Sequence, residues 1–387
     1  MLYGKIILIN EVAMEDTQGK KIVIVNSSSN FEYRVDMLYK CLKKQGHSIT
    51  VFASDFLHDK KKKRSIDKED YITIKTIPYK KNISLSRIYS HINFSNKCKK
   101  LLDKMEFEVL YIVVPPNSQA ALARRYRKRD NVKIIMDIID LWPESFPRTR
   151  TDKFPFTIWG YIRNKSLKYA DYIITECKLY KKELDKYLAD KNVTNIYWAH
   201  KDTKDNVLPD YDNINSDGLH LLYLGAMNNI IDIPKIVGVV KLLSEKNKVC
   251  LDIVGGGERK AEFIEALEKA GAMVRDNGSV YDEKKKQEIM DSCHYGINIM
   301  KDTVCVGLSM KSIDYLKGGL PIINNLNADI GDLIAENNCG VNIYDEAWDT
   351  DIDDIEKIRT MKKNARRTFD EYFSEEVFDR QIRRLDI

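Results

Sequence analysis

Long apolar runs are absent from this chain of 387 residues. No stretch approaches the roughly 18 consecutive apolar residues that a transmembrane helix needs. The first residues hold a short apolar patch with acids behind it and no small-residue cleavage site, so we expect no secretory signal. Hydrophobic residues make up 43% of the chain and charged residues 31%. This composition is typical of a soluble globular protein, which we expect in the cytoplasm.

Metal-binding and disulfide patterns are absent as well. The seven cysteines are scattered and never closer than twelve residues, which fits neither a disulfide framework nor a zinc site. The six histidines include no pair at metal-ligand spacing. We therefore expect neither a metal nor a cofactor, and we expect most cysteines to be small core residues.

Charge is divided unevenly between the two halves of the chain. Residues 1–200 contain 38 Lys and Arg against 23 Asp and Glu, whereas residues 201–387 contain 25 against 35. A basic half favours an anionic partner, either nucleic acid or an anionic membrane surface. Alternatively, two solvated surfaces of opposite charge attract each other across a cleft. A nucleic-acid-binding α/β protein is the weakest of these readings, because no recognised nucleic-acid module is present.

Short β-branched runs alternate with helical patterns along the chain. The run Lys21–Asn26, a helical pattern from Val35 to Leu42 and the run Ser48–Phe52 form the first β-α-β unit. Such runs are typical of parallel sheets covered by helices. Length and alternation together predict an α/β protein with two doubly wound, Rossmann-like domains that face each other across a cleft.

Turn-forming residues with few apolar neighbours mark the boundary between the two domains. We predict a first domain over residues 1–202, a linker over 203–217 and a second domain over 218–367. A helical pattern continues from about 368 to 387 without a further strand. We expect this last segment to pack back on the first domain.

Glycines follow three predicted strands of the second domain, where ligands of open α/β sheets bind. They lie at Gly225, in Val254–Gly257 and in Asn277–Tyr281. Such turns can bring backbone amides to a phosphate, although a tight turn alone explains a glycine equally well. None is a P-loop, since the Gly-Lys-Ser/Thr ending is missing.

Lys311 and Asp314 face the same side of a predicted helix, just ahead of a break at Gly318–Pro321. Beside glycine-rich turns, a lysine can neutralise phosphate and a carboxylate can accept ribose hydroxyls. As a bare surface ion pair, the two would contribute well under about 1 kcal/mol and carry no function.

In this order, the four motifs resemble the donor-nucleotide domain of GT-B fold glycosyltransferases related to family 4. In that family a strand-end glycine, a Val-Gly-x-Gly turn, a Gly-x-Val base loop and a glutamate before Gly-x-Pro recur. Here they read Gly225, Val254–Gly257, Gly278–Val280, and Asp314 before Gly319–Pro321. The segment Asp140–Ser145 looks like one found in bacterial polysaccharide transferases of this group, which extends the resemblance to the first domain.

The resemblance implies a hexosyltransferase that acts in assembly of a bacterial-type surface glycan such as a capsule. The donor would be a nucleotide sugar, with UDP as the default, and the acceptor a polysaccharide, a lipid-linked glycan or a glycoprotein. It also implies retention of the anomeric configuration without a metal. The donor-binding residues would be Gly225, Asn228, Gly256, Gly257, Arg259, Ser279, Val280, Ser309, Lys311 and Asp314.

Two departures from the family pattern concern charge. The family's paired glutamates would fall at positions 306 and 314, where this chain has Val306 and Asp314. The basic pair that usually follows the strand-end glycine is replaced by Asn228–Asp232. Lys311 is the best candidate for the missing positive charge, because a leaving diphosphate must be neutralised, and Arg259 is the second. The alternative is a non-catalytic glycosyltransferase-like subunit that binds acceptor or stabilises a partner.

Candidate catalytic groups lie at a strand end of the first domain. Asp140 is our first choice to contact the sugar or acceptor, followed by Asp137 and Glu144. Trp142 can serve as a sugar platform or as a core anchor. Further cleft or acceptor residues would be Ser28, Arg34 and His58, although a structural role is open for His58 and for His200.

Three cationic stretches are suited to an anionic membrane surface, although many such stretches are only solvated faces. They are Lys60–Arg64, Arg124–Arg129 and Lys153–Arg163. Membrane contact would bring the enzyme to acceptors built on a lipid diphosphate, so a peripheral location at the inner face is a further expectation. The acidic run Asp349–Asp354 contains Asp-x-Asp, which binds a metal in other glycosyltransferases. Here we expect it to begin a helix.

Overall fold

The computed structural model describes residues 19–82, 84–129, 131–145, 156–188, 191–200, 208–344, 348, 350–385 and 387. The region in which we expected no secretory signal, residues 153–155 of the third cationic stretch, positions 203–207 of the predicted linker and Asp349 lie outside the described residues. Residues 208–217 of the predicted linker contain no helix or strand.

A parallel sheet forms the first half of the molecule. Within the described residues it has seven strands in the order β5-β2-β1-β6-β7-β8-β9. Their bounds are β1 Lys21–Asn26, β2 Ser48–Ser54, β5 Tyr71–Ile74, β6 Val109–Val114, β7 Lys133–Ile138, β8 Tyr172–Thr175 and β9 Asn192–Asn195. Two short antiparallel strands, β3 Phe56–Leu57 and β4 Lys62–Lys63, form a hairpin after β2.

Helices connect these strands and cover both faces of the sheet. They are α1 Glu32–Lys44, α2 Leu85–Leu102, α3 Asn117–Tyr126, α4 Phe156–Leu167 and α5 Lys178–Leu184. Every residue of the central strand β6 is buried. This explains its uninterrupted apolar sequence, since a parallel strand covered by helices on both sides has no solvent face.

A second parallel sheet repeats the pattern. Its six described strands are ordered β12-β11-β10-β13-β14-β15. They are β10 Leu219–Leu224, β11 Val249–Val254, β12 Met273–Asp276, β13 Tyr295–Asn298, β14 Ile322–Asn324 and β15 Gly340–Asn342. Its helices are α6 Ile233–Ser244, α7 Lys260–Lys269, α8 Glu283–Ser292, α9 Met310–Lys317 and α10 Asp329–Asn337. Two doubly wound sheets confirm the predicted fold class.

The chain ends against the first sheet. Helix α11, Ile355–Tyr372, packs on α9 and α10, and α12, Glu375–Arg383, packs on α1. The Tyr33 hydroxyl donates to Glu375 Oε1 at 2.7 Å, and Lys20 Nζ donates to the Ile387 carbonyl at 2.9 Å. Asp354 caps α11 by accepting from the Glu356 amide at 3.0 Å. No helix in the described ranges combines the length and apolarity needed to cross a bilayer.

Candidate active site

Three loops at the carboxyl edge of the second sheet are hydrogen-bonded to one another through glycine backbone. The Gly225 amide donates to the Val254 carbonyl at 2.9 Å, and the Gly255 amide donates to the Gly278 carbonyl at 2.7 Å. A Cβ atom on Gly255 would lie 2.1 Å from the Gly225 carbonyl oxygen. Since Gly255 has a φ of +144°, no other residue fits there. The three glycine motifs found in the sequence therefore form one continuous surface.

Gly256 and Gly257 have different roles in this surface. A Cβ atom on Gly257 would lie 2.3 Å from the Met227 carbonyl oxygen, so this glycine permits close packing of two loops. A Cβ atom on Gly256 would meet nothing within 4 Å. Gly256 therefore leaves open space at the position where a ligand's phosphate would approach the backbone.

Ser309 holds the beginning of helix α9. Its hydroxyl accepts from the Ser312 amide at 3.2 Å and donates to Asn298 Oδ1 at 2.8 Å. Because Ser309 is buried and its hydroxyl is already engaged as a cap, its side chain positions the helix. Ser309 was predicted to contact the sugar donor directly, but its hydroxyl proton is already donated to Asn298.

Lys311 projects from α9 onto the ring of Tyr223, two residues before Gly225. Its Nζ lies 4.3 Å from the ring centroid and donates to the Tyr223 hydroxyl at 3.2 Å. Across the described part of the chain, no carboxylate pairs with this amine. Burial lowers the pKa of Lys311 to about 7. The structure thus places next to the glycine loops an amine that becomes protonated near neutral pH and that has no carboxylate partner among the described residues.

Asp314 contacts the other half of the molecule. Its Oδ1 lies 3.1 Å from His200 Nε2, and both side chains are partly exposed. The His200 amide donates to the Phe373 carbonyl at 2.8 Å. Lys311 and Asp314 therefore have separate partners, Tyr223 and His200, although they share one helix.

A second connection between the halves involves Asp329 at the start of α10. Its carboxylate accepts from the amides of Lys178 and Leu179 at 2.7 and 2.9 Å, and from the Tyr197 hydroxyl at 3.0 Å. The two amides belong to the first turn of α5, where a carboxylate is favoured by the helix dipole. This contact fixes the carboxyl edges of the two sheets close together.

The remaining predicted donor residues differ in how free their side chains are. Arg259, which immediately precedes α7, forms an ion pair with Glu262 of that helix, which makes it a poorer candidate than Lys311 for neutralising a phosphate. Asn228 Oδ1 accepts from the Ile230 amide at 3.0 Å. Ser279 is exposed, and Val280 is half-buried against the core.

Asp137 and Arg34 lie in the core instead of the cleft, which corrects the prediction that they face a substrate. Both side chains are 1% exposed, and Arg34 Nε lies 2.8 Å from Asp137 Oδ2. The Tyr111 hydroxyl donates to the same oxygen at 2.7 Å. A carboxylate with both oxygens engaged in the core has no position from which to contact a substrate.

Glu144 also has a structural partner. Its two oxygens accept from Arg163 at 2.6 and 2.9 Å, and the Arg163 side chain is 0% exposed. This pair anchors α4 to the segment after β7. It also corrects the expectation that Arg163 contributes charge to a membrane-facing stretch.

Asp140, the first choice for a catalytic residue, lies two residues after the end of β7. It is half-buried and accepts from Trp142 Nε1 at 2.6 Å, and burial raises its pKa. The Trp142 ring is covered by the Arg87 guanidinium, whose Cζ lies 4.1 Å from the ring centroid. Of the two roles considered for Trp142, this contact favours the anchor over the sugar platform, because Arg87 occupies that face of the ring.

Glu176 was missed by sequence reasoning. It is half-buried immediately after β8, and burial raises its pKa to about 8. The fields of Asp140, Asp137 and Asp329 add to this rise, while Arg34 opposes it. The same strand-end rule that selected Asp140 would have selected Glu176.

The predicted residues Ser28 and His58 lie near each other at the same edge. The Ser28 amide donates to Asn26 Oδ1 at 3.0 Å, and the neighbouring Ser29 hydroxyl accepts from the His58 amide at 3.0 Å. The His58 ring lies 2.6 Å from the Tyr79 hydroxyl, and burial lowers its pKa to about 4.

One group of ligand-type side chains lies away from these loops. His220, Cys250 and Asp252 converge within 4.8 Å in the core of the second sheet. Both His220 ring nitrogens already have partners, at 2.7 Å to Asp217 and 3.1 Å to Asn215. We therefore interpret this group as core structure and assign it no metal.

No protein-family model matches the chain, and no curated protein sequence matches it. Solved structures match it over nearly its whole length. Sucrose-phosphate synthase from Thermosynechococcus elongatus aligns with a TM-score of 0.66 and 14% identity, over 94% of this chain and 97% of that one. The lipopolysaccharide outer core galactosyltransferase WaaB aligns with a TM-score of 0.63 and 14% identity, over 94% of this chain and 97% of that one. HepE from Anabaena, in complex with UDP and glucose, aligns with a TM-score of 0.58 and 12% identity, over 94% of this chain and 98% of that one.

The chain has the GT-B fold. The motif resemblance predicted this fold, and the match to solved structures confirms it. At these identities the match shows the fold alone, so membership of family 4 stays a prediction. In this fold the glycine loops lie at the carboxyl edge of the second sheet, and Asp140 and Glu176 follow strands β7 and β8 at the carboxyl edge of the first.

Proposed function

We propose that the chain is a glycosyltransferase that moves a sugar from a nucleotide-sugar donor on the second domain to an acceptor on the first. The observation that carries this proposal is the half-buried Lys311 amine, which contacts Tyr223 and has no carboxylate partner in the described residues. An amine that can take up a proton when an anion binds, beside three glycine-rich strand ends, is suited to a nucleoside diphosphate. The GT-B fold supports the same reading.

UDP is the nucleotide we propose first, because HepE, which shares the fold, is in complex with UDP and glucose. We propose a glycan acceptor, either a growing polysaccharide, a lipid-linked sugar or a glycoprotein, in the assembly of a surface glycan such as a capsule. The donor domain would cover residues 218–367.

In the proposed reaction, protonated Lys311 neutralises the diphosphate as its bond to the sugar breaks. Asp140 contacts the sugar or the acceptor hydroxyl from across the cleft. Glu176 is protonated at neutral pH, because its pKa is about 8, and can donate a hydrogen bond there. We propose retention of configuration without a metal, with Lys311 supplying the positive charge. Closure of the cleft would exclude water and limit hydrolysis.

Nucleotide binding tests the proposal directly. UDP, GDP, dTDP, CMP and ADP are compared by thermal shift and calorimetry, and one nucleotide is expected to bind. Lys311→Met keeps the side-chain length but removes the charge, so it is expected to lower the binding affinity for that nucleotide by about tenfold or more. Lys317→Met, on the same helix, is the matched control. Binding of none of the nucleotides would contradict the proposal.

A non-catalytic glycosyltransferase-like subunit is the second candidate. It is favoured by Val306, which is half-buried against the core at the position where the family carries a carboxylate. Hydrolysis of UDP-sugars without acceptor separates the two candidates. Nucleotide binding without any hydrolysis or transfer would support the subunit.

We also propose a peripheral position on an anionic membrane surface at the inner leaflet. Part of the predicted basic charge is neutralised, since Arg64, Arg125 and Arg127 pair with acids. Exposed apolar side chains would add to the contact that the remaining basic charge makes with the membrane. They are Leu85 (75% exposed) and Tyr89 (59%) on α2, and Ile158 (51%) and Tyr161 (53%) on α4.

Vesicle sedimentation tests this contact. Vesicles containing phosphatidylglycerol are expected to bind the protein, and vesicles of phosphatidylcholine alone are expected to bind it more weakly. The double variant Leu85→Ser with Tyr89→Ser is expected to reduce binding without loss of stability, because both side chains are exposed. Equal binding by this variant would place the contact elsewhere.

A further inference from the structure

Basic side chains from two elements surround the ring of Tyr79 at the carboxyl edge of the first sheet. We call them the Arg87 cluster, and it consists of His58, Lys61, Arg87 and His91 around Tyr79. Lys61 Nζ lies 5.1 Å and Arg87 Cζ 5.8 Å from the Tyr79 ring centroid. His91 lies one turn after Arg87 on α2, with its ring 6.0 Å from that of Tyr79.

The two cations of the Arg87 cluster, Lys61 and Arg87, donate hydrogen bonds to uncharged groups. Within the described ranges, neither Arg87 nor Lys61 forms an ion pair. Lys61 Nζ donates to Asn82 Oδ1 at 2.5 Å, and Arg87 Nη1 donates to the Asn82 carbonyl at 2.7 Å. The pKa of Lys61 is lowered by burial and by the Arg87 charge, so the two cations repel each other.

Arg87 also has unused hydrogen-bonding capacity in a buried position. The residue is 7% exposed, and its Nε has no hydrogen-bond partner among the residues that the structure describes. The Nδ1 atom of His91, which is 8% exposed, likewise has no partner in the described part of the chain. Stacking on Trp142 stabilises the guanidinium by a cation–π contact but leaves the Nε–H unsatisfied. Buried cations are normally paired, so this arrangement is incomplete without an anion.

The position of the cluster relates it to the acceptor side of the cleft. Trp142, which stacks on Arg87, donates from Nε1 to Asp140 at 2.6 Å. The field of Asp140 reaches Arg87, although the two do not pair. An anion held by Arg87 would therefore lie close to the carboxylate proposed to contact the reacting groups.

We propose that the Arg87 cluster binds a phosphate or diphosphate group carried by the acceptor. This proposal rests on the proposed glycosyltransferase function and names the acceptor class. A guanidinium and an ammonium that approach from different elements suit an anion with several acceptor oxygens. The Tyr79 hydroxyl and the neutral His58 ring supply further polar groups beside it.

Calorimetric titration of inorganic pyrophosphate, with UDP held at saturation so that the donor site is filled, tests the proposal. The wild-type chain is expected to bind pyrophosphate. Arg87→Gln and Lys61→Asn are each expected to weaken its binding by about tenfold or more while UDP affinity changes less than about twofold. Asparagine is chosen because Lys61 has a φ of +52°, which asparagine tolerates. Lys40→Gln, an exposed lysine on α1, is the control.

The outcomes separate this proposal from the proposed function. Failure of UDP to bind the wild-type chain counts against the glycosyltransferase function. Normal UDP binding without pyrophosphate binding, or with equal pyrophosphate binding by both variants, would overturn the acceptor site alone. If Arg87→Gln does not fold, Lys61→Asn still decides the matter, because Lys61 lies in a partly exposed hairpin.

Acceptor kinetics then identify the source of the anion. The same sugar is offered as a short-chain polyprenyl diphosphate conjugate, as a free sugar phosphate and as a neutral glycoside. A rise in acceptor KM of about tenfold in Arg87→Gln, with donor KM unchanged, is expected for the charged acceptors. Preference for the conjugate indicates a lipid source, and equal use indicates a soluble one. An unchanged KM for every charged acceptor would overturn the proposal.

Discussion

His200 Nε2 lies 3.1 Å from Asp314 Oδ1, which joins the two halves of the molecule at the helix that also carries Lys311. Asp314 is the carboxylate proposed to accept a ribose hydroxyl. In this arrangement one of its oxygens is already occupied by a side chain from across the cleft. In the proposed nucleotide complex, ribose and His200 would therefore compete for the same carboxylate.

This competition predicts opposite effects of two substitutions on nucleotide affinity. Asp314→Ala is expected to lower UDP affinity by about tenfold, because a hydrogen bond from ribose to a charged acceptor is lost. His200→Ala is expected to raise UDP affinity by up to about fivefold, because ribose would no longer have to displace a partly exposed contact whose free energy is at most about 1 kcal/mol. Calorimetry with UDP and with its 2′,3′-dideoxy analogue checks the site. The analogue should bind wild type and Asp314→Ala equally. Weaker UDP binding by His200→Ala would contradict competition.

The pKa of Lys311 near 7 predicts a pH dependence of donor binding. A bound diphosphate raises that pKa, so binding is strongest where the amine is already protonated and weakens as pH rises. From pH 7 to 9, above the phosphate pKa near 6, UDP affinity should fall by up to about 50-fold.

Lys311→Arg supplies the control for this pH dependence, because a guanidinium stays charged throughout the range. Its UDP affinity is expected to be nearly constant from pH 7 to 9, and proton uptake in buffers of different ionisation enthalpy should disappear. An equally steep decline in this variant would assign the titration to another group.

The fold was predictable from sequence because each buried parallel strand is an uninterrupted apolar run between helical patterns. The glycine motifs were predictable for a related reason. Gly255 and Gly257 are required by carbonyl oxygens 2.1 and 2.3 Å from a would-be Cβ, and such a constraint leaves a visible mark in the sequence. The predicted helix start near Asp354 has the same local origin, since a cap is made with the next residues.

The partners of charged side chains were not predictable in this way. Helical spacing placed Lys311 and Asp314 on one side, but their partners Tyr223 and His200 come from positions 88 and 114 residues away. Arg34 sits in an ordinary amphipathic helix, and nothing local indicates that it is buried with Asp137. Tertiary packing decides which charges are free, so Asp137 and Arg34 were wrongly placed in the cleft, and the other candidate site residues stay a prediction.

The Arg34–Asp137 pair is expected to contribute to stability without a role in substrate contact. Asp137→Asn should lower the free energy of unfolding by about 3–5 kcal/mol, because it leaves a buried guanidinium without its counterion. Urea unfolding measures this loss. The double variant Arg34→Met with Asp137→Leu should recover a large part of it, since two apolar side chains carry no desolvation cost. UDP affinity of folded protein should be unchanged in both.

Gly255 and Gly256, which are neighbours in the turn after β11, are expected to respond differently to substitution by alanine. Gly255→Ala forces a Cβ atom against the Gly225 carbonyl at a φ of +144°, so it should lower the melting temperature and weaken UDP together. Gly256→Ala meets open space and should leave the melting temperature unchanged while weakening UDP. Thermal unfolding and calorimetry separate the two. Equal destabilisation by both would show that the loops are less closely packed than the structure indicates.

Glu176 should be visible as an ionisation near pH 8. Its pKa of about 8 is raised above the ordinary value of a glutamate, so the folded chain holds a proton that the unfolded chain has lost. This group therefore lowers stability progressively as pH rises from about 4.5 to 8. Glu176→Gln should unfold at a higher temperature than wild type at pH 8 and show a smaller difference at pH 5. Glu183→Gln, at an exposed position of α5, should show neither effect.

If Glu176 also faces the reacting groups, the wild-type pH profile of kcat/KM should contain an ionisation near 8 that Glu176→Gln lacks. A profile unchanged by Glu176→Gln would leave Asp140 as the candidate carboxylate of this edge.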